Sequence, residues 1–286
     1  MKNDNGQQLS LTQALDLLKS RQGKNFKTAD KIIENFCFYD YSNIIMKYDY
    51  KSGKKRILNI LNSELDVENL NELPCDEKLT FSNAYYSWVT AIFVDIRKST
   101  ELFTNENKKD VSRLIRSFTS EIIEIINQGD NLREIGIRGD CVYGIFTTPK
   151  KSQINEVFDM ACYVNTMIKM LNKLLIKEDI PQIMVGIGVS SAQELVVKAG
   201  RKGSGVNNKV WIGDAVTKAA NMSGKGNKNH NLPIIISELT YKNLNDHNKG
   251  LMSYRKYNDD LDYYYDCDLI ISAFNDWINK GMLDNE

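Results

Sequence analysis

Histidine is scarce in this chain, with two residues, His230 and His247, among 286. Neither lies near a cysteine cluster, so a zinc site or a histidine-based nucleophilic triad is not expected. The five cysteines (Cys37, Cys75, Cys141, Cys162, Cys267) form no CxxC pair, and an odd, scattered set argues for a reducing compartment. No sign of charge prevails: 37 Lys plus Arg balance 37 Asp plus Glu. That balance points to neither a nucleic-acid track nor an anionic membrane as partner. The most apolar run, residues 88–94, stops at Asp95 and is too short to span a bilayer. The polar first seven residues show no apolar signal-peptide segment. Together these absences lead to the expectation of a cytoplasmic protein.

What is present is an ordinary globular mixture, 42% hydrophobic and 26% charged. Residues up to about Leu73 read as short helices, with helical apolar spacing over 11–18 and 56–61, and suggest a packing or dimerisation arm without chemistry. From residue 88 the pattern sharpens. Residues 88–96 read as a strand, and Val111, Leu114, Ile115, Phe118, Ile122, Ile125 and Ile126 then repeat at helical spacing. Residues 132–137 and 141–146 form a hairpin around Gly139-Asp140. Val157, Ala161, Val164, Ile168, Leu171 and Leu175 mark a second helix, and residues 183–189 a further strand. The order strand, helix, strand, strand, helix, strand predicts an α+β, ferredoxin-like split βαβ core. Strands over 195–199 and 210–212, a short helix from Asp214, a buried strand at 234–236 and a helical tail over 268–282 follow. The expected organisation is an N-terminal helical extension (1–80), a catalytic domain (81–245) and a C-terminal strand and helix extension packing on it (246–286).

Two carboxylates stand out. Asp95 ends an apolar strand, and Arg97, Lys98, Ser99 and Thr100 after it turn toward a helix whose first N–H groups can face an anion. By itself Asp95 is equally a cap for that helix. Asp140 sits in a Gly-Asp turn that by itself is only a hairpin solution. In the split βαβ topology, however, the first strand and the hairpin are neighbours, which brings both carboxylates together. Such a pair suits two divalent ions about 3.5–4 Å apart. A haloacid-dehalogenase-type phosphatase would need a second Asp where this chain has Arg97.

Residues 93–100, 137–143 and 210–217 resemble, in order, the two metal motifs and the segment leading into the transition-state helix of class III adenylate and guanylate cyclases. Residues 79–86, 202–205 and 273–277 are similar to the pyrimidine cyclases of the bacterial Pycsar antiphage systems. The resemblance implies a class III cyclase core and a homodimer with active sites at the subunit interface. Asp95, the Ile96 carbonyl and Asp140 would hold two Mn²⁺ or Mg²⁺ ions, and Ser99 and Thr100 would meet the triphosphate. The family's transition-state Asn and Arg align with Thr217 and Asn221, of which Asn221 lacks the positive charge. Either Arg201, Lys202 or Lys225 replaces it, or turnover is slow. The family's adenine-reading Lys and Asp align with Gly136 and Val210, whose side chains read no purine edge.

Strand alternation puts Gly136, Arg138 and Asp140 on one face, with Phe93 beside Asp95 on the neighbouring strand. Phe93 is a candidate to stack on a base and Arg138 to donate to its carbonyl oxygens, against the plainer reading of a core Phe and a surface Arg. The expected activity is conversion of UTP, or less readily CTP, to the 3′,5′-cyclic monophosphate and pyrophosphate, as a second-messenger synthase in antiphage defence. A purine cyclase and a catalytically dead nucleotide-binding module are the alternatives.

Overall fold

A computed structural model describes residues 48–105 and 107–283. The helical reading of residues 11–18 lies outside the described residues. The chain divides into two compact units between Asn62 and Ser63. In the first, helix α1 (Tyr50–Leu61) is opened by Asp49, whose carboxylate accepts the amides of Lys51 and Ser52.

The second unit is built on one mixed sheet. Its strands are β1 (Asp66–Asn69), β2 (Asn83–Ile96), β3 (Leu132–Arg138), β4 (Cys141–Thr147), β5 (Val185–Gly200), β6 (Asn207–Gly213), β7 (Ile234–Ser237), β8 (Lys256–Asn258) and β9 (Asp262–Cys267). The order across the sheet is β3-β4-β2-β5-β7-β9-β8, with β1 alongside β2 and β6 alongside β5. Helices α2 (Ser99–Asn105), α3 (Lys108–Ile126), α4 (Lys151–Lys177), α5 (Asp214–Ser223), α6 (Glu238–Asn243), α7 (Asp246–Gly250) and α8 (Ser272–Asn279) complete it. The split βαβ order is the observed one: β2, α3, the β3–β4 hairpin, α4, β5.

Why α3 and α4 cover one face follows from periodicity. Leu114, Phe118, Ile122 and Ile126 recur every four residues on α3 and are all buried. They meet Ile92, Val94 and Ile96, the alternate residues of β2, and Val157, Ala161 and Val164 of α4. Burying one such side chain, Phe118 for instance, contributes about 1.5–3 kcal/mol. Asn107 opens α3 by accepting the Lys109 amide at 2.9 Å.

The other face of β2 carries Val89, Ala91, Phe93 and Asp95, and helix α5 lies over it. Two glycines let it approach. A Cβ at Gly188 would stand 2.0 Å from the Ala219 carbonyl oxygen, and one at Gly186 2.1 Å from that of Ser223. Helix backbone therefore rests directly on strand backbone. Residues 183–189 and 195–199, read as separate strands, are both drawn into a region dominated by the single long strand β5, and β1 was not expected at all. No helix among the described residues is long and apolar enough to cross a membrane. Cys75, Cys141, Cys162 and Cys267 are free thiols.

Candidate active site

Cross-strand register assembles the site. Asp95 of β2 lies opposite Cys141 of β4 and Gly186 of β5, and Arg138 of β3 lies opposite Cys141. Asp140 occupies the turn between β3 and β4, where Gly139 adopts a φ of +62°. The turn thus delivers Asp140 to the end of β2, close enough for its charge to act on Asp95. Burial pushes the Asp95 carboxyl above its usual range; Arg97 pulls it back, and Asp140 pushes it up again. The thiol of Cys141, half-buried beside these charges, is pushed up to about 12 and stays protonated.

After Asp95 the chain turns sharply. Lys98 takes a left-handed φ of 56°, at a cost of about 1 kcal/mol for a residue with a Cβ. The turn leaves Arg97 buried, and its guanidinium bonds the Asp95 carboxylate. Ser99 and Thr100 then begin α2, Ser99 half-buried and Thr100 exposed. Ile96 is the last residue of β2, opposite Val185.

One strand further, Phe93, Tyr143 and Gly136 share a row. Phe93 stacks on Tyr143 with ring centroids 5.0 Å apart and planes 12° from parallel. Tyr143 also covers Gly136, where a Cβ would stand 2.5 Å from the phenol oxygen. The Tyr143 hydroxyl donates to Glu134 Oε1 at 2.8 Å, and the Trp211 indole N–H donates to Glu134 Oε2 at 2.8 Å. Burial and Glu134 raise the Tyr143 phenol, while Arg138 acts the other way. A register shift between Leu132 and Glu134 sets Glu134, Gly136 and Arg138 on this face. Arg138 itself is exposed. On β6, Val210 is exposed and alternates with Lys209 and Trp211, whose side chains both reach β3.

Helix α5 carries Thr217 and Asn221 one turn apart, both exposed. No hydrogen bond or ion pair joins either to Asp95 or Asp140. The N-terminus of α5 is held by Glu194, a fully buried carboxylate whose Oε1 accepts the Ala215 amide at 2.5 Å and the Val216 amide at 3.4 Å. Its Oε2 has no partner. Among the replacement cations, Lys225 is ion-paired with Asp260, while Arg201 and Lys202 are exposed in the β5–β6 loop. The field of Lys228, which the sequence reading passed over, reaches Asp95. Tyr143, Glu134, Trp211 and Glu194 were also missed, since only register brings them together. A groove of about 780 Å³ between α3 and α4 lies on the opposite sheet face from Asp95.

Two acids at the end of a central strand, beside a turn and a helix N-terminus, are an arrangement able to take a phosphate ester and its counter-ions. The adenylate and guanylate cyclase catalytic domain family matches residues 81–259, a span that contains this whole arrangement. The chain belongs to that family and is a nucleotidyl cyclase. It is similar to the uridylate cyclase of Gulbenkiania mobilis, at 35% identity over 204 residues, 68% of this chain and 79% of that protein. In fold it is similar to the adenylyl cyclase CyaB from P. aeruginosa, with a TM-score of 0.54 at 19% identity over 64% of this chain and 95% of that one. A class III adenylyl cyclase-like ATP-binding protein from Pseudomonas aeruginosa gives a TM-score of 0.60 at 16% identity, covering 97% of this chain and 55% of that one.

Proposed function

We propose that this chain is a uridylate cyclase, converting UTP to 3′,5′-cyclic UMP and pyrophosphate as a homodimer that uses two divalent ions, Mn²⁺ or Mg²⁺. The observation that carries the reading is the Asp95 and Asp140 pair beside the Phe93–Tyr143 stack, in a chain 35% identical to a protein named uridylate cyclase.

The donors suit a hard cation. Asp95, Asp140 and the Ile96 carbonyl offer oxygen only. Among the described residues no group of three or more His, Cys, Asp or Glu forms a metal cluster, which leaves the remaining positions to phosphate oxygens and water. When bound, such ions lower the pKa of the attacking 3′-hydroxyl and neutralise the departing pyrophosphate.

The 3′-oxygen attacks the α-phosphorus, the bond to the bridging oxygen of the β-phosphate breaks, and pyrophosphate leaves. Ser99 and Thr100, at the start of α2, face the triphosphate with hydroxyls and backbone amides. Thr217 and Asn221 lie on the exposed side of α5, where they serve the site of a second copy. The exposed apolar residues Val210 and Ile212 on β6, with Val206 just before it, support such a face.

Base choice follows from what fills the pocket. The Tyr143 phenol over Gly136 takes the space of a second ring and favours a pyrimidine. Gly136 offers no polar side chain to a purine, and the guanidinium of Arg138 donates only, which suits the carbonyls of uracil. The resemblance to the antiphage cyclases extends the reading to a second messenger made during phage infection.

The test is direct. Purified protein is incubated with Mn²⁺ and each of ATP, GTP, CTP and UTP, and the products are separated by chromatography. Cyclic UMP as the main product is expected, and a purine cyclic nucleotide in its place would overturn the assignment.

A further inference from the structure

Arg97 makes two kinds of contact at once. Its guanidinium bonds the Asp95 carboxylate through Nη2, which also donates to the Asp95 carbonyl at 3.2 Å. Its Nη1 donates to the Gly224 carbonyl at 2.6 Å. Gly224 is the C-cap of α5, and a cation there complements the partial negative charge of the helix end. The Arg97 amide meanwhile donates to the Met184 carbonyl at 2.8 Å, which pins the turn. The buried Nε has no partner. The side chain is therefore held by its two outer nitrogens, at the cost of the third. Its position is set by Asp95 on one side and by α5 on the other.

We propose that Arg97 is a positioning residue that occupies Asp95 in the ion-free enzyme, yields it to the entering divalent ions, and keeps its grip on the end of α5 throughout. This rests on the metal reading above. Divalent ions held by Asp95, the Ile96 carbonyl and Asp140 would draw on the same carboxylate that Arg97 bonds, and that bond would be given up. The bond to Gly224 does not conflict with the ions, so α5 stays anchored beside the site. Arg97 thus has opposite effects on two measurable quantities. It weakens ion binding by competing for Asp95, and it promotes turnover by holding the helix that carries Thr217 and Asn221.

The experiment titrates nucleotide-free protein with Mn²⁺, free Mn²⁺ being followed by electron paramagnetic resonance, for wild type, Asp95→Asn, Arg97→Gln and the double variant. Arg97→Gln is expected to bind Mn²⁺ about tenfold more tightly, the size of a single neighbouring-charge effect. Its kcat should fall about tenfold or more with little change in KM, since the loss is one of orientation. In the Asp95→Asn background, Arg97→Gln should leave Mn²⁺ affinity unchanged. Arg97→Lys keeps the charge and guards against misfolding of the Gln variant; it should bind Mn²⁺ as weakly as wild type yet share the loss of kcat. If Asp95→Asn weakens Mn²⁺ binding but Arg97→Gln binds no more tightly than wild type, the proposal for Arg97 is overturned while the metal reading stands. If Asp95→Asn leaves Mn²⁺ binding intact, the metal reading itself falls.

Discussion

Gly188 of β5 lies directly beneath the Ala219 carbonyl of α5, with 2.0 Å where a Cβ would have to fit. The contact fixes the height of α5 above the sheet, and with it the place of Thr217 and Asn221. Gly188→Ala should therefore force the helix away and cost about 1–3 kcal/mol or more. A urea titration and an activity assay check this. Gly139→Ala is the control, because nothing lies within 4 Å of its Cβ position and only the φ of +62° is strained. It should cost about 1 kcal/mol.

Asp95→Ala and Asp140→Ala should each abolish cyclic nucleotide formation and leave the far-ultraviolet circular dichroism unchanged. Each removes a carboxylate from the pair without touching the α3–α4 core. Full activity in either variant contradicts the metal assignment.

Neither Asp95 nor Asp140 bonds to Thr217 or Asn221 within the chain. Mixing an inactive Asp95→Ala protein with an inactive Thr217→Ala protein should then restore activity through mixed dimers. A wild-type monomer that keeps full specific activity at high dilution speaks against a shared site.

Base preference should depend on Arg138 and Tyr143. Uracil presents O2 and O4 as acceptors, whereas cytosine puts an amino donor at position 4. One hydrogen bond made to uracil and not to cytosine contributes about 0.5–1.5 kcal/mol net, a few-fold to about tenfold in kcat/KM for UTP over CTP. Arg138→Ala should erase most of that ratio, and an unchanged ratio would remove Arg138 from the pocket.

Glu194 carries a pH dependence. Burial raises its carboxyl above the usual glutamate range, against the opposing pull of the Ala215 and Val216 amides. The folded state then holds a proton that the unfolded state releases, so this contribution is full below the usual glutamate pKa. It is lost as pH rises through the raised folded value. Glu194→Gln keeps an acceptor oxygen for the α5 amides without the buried charge. Its melting temperature should exceed that of wild type at pH 8 and vary less with pH. A steeper pH dependence in the variant would contradict this account.

Much of the frame was legible in the sequence because it rests on local period. The four-residue spacing of Leu114, Phe118, Ile122 and Ile126 defines a helix and its buried side before any partner is known. The apolar run ending at Asp95 and the Gly139-Asp140 turn mark two strand ends, and the order of elements makes those ends neighbours. From local pattern alone, then, came the split βαβ core and the acidic pair.

Tertiary structure decided the rest, because it depends on register and on contacts far apart in the chain. The shift between Leu132 and Glu134 turns Glu134 toward Tyr143 and Trp211, and no periodicity announces an extra residue in a strand. Gly186 and Gly188 read as ordinary strand glycines until α5 is laid across them. Arg97 read as a mere departure from a phosphatase motif, although its partner Gly224 lies 127 residues away. Glu194 fell between the strands read at 183–189 and 195–199, and the helix it caps begins only after β6 has returned along β5. Local sequence sets which way a side chain can face; what it meets there is set by the packing of distant segments.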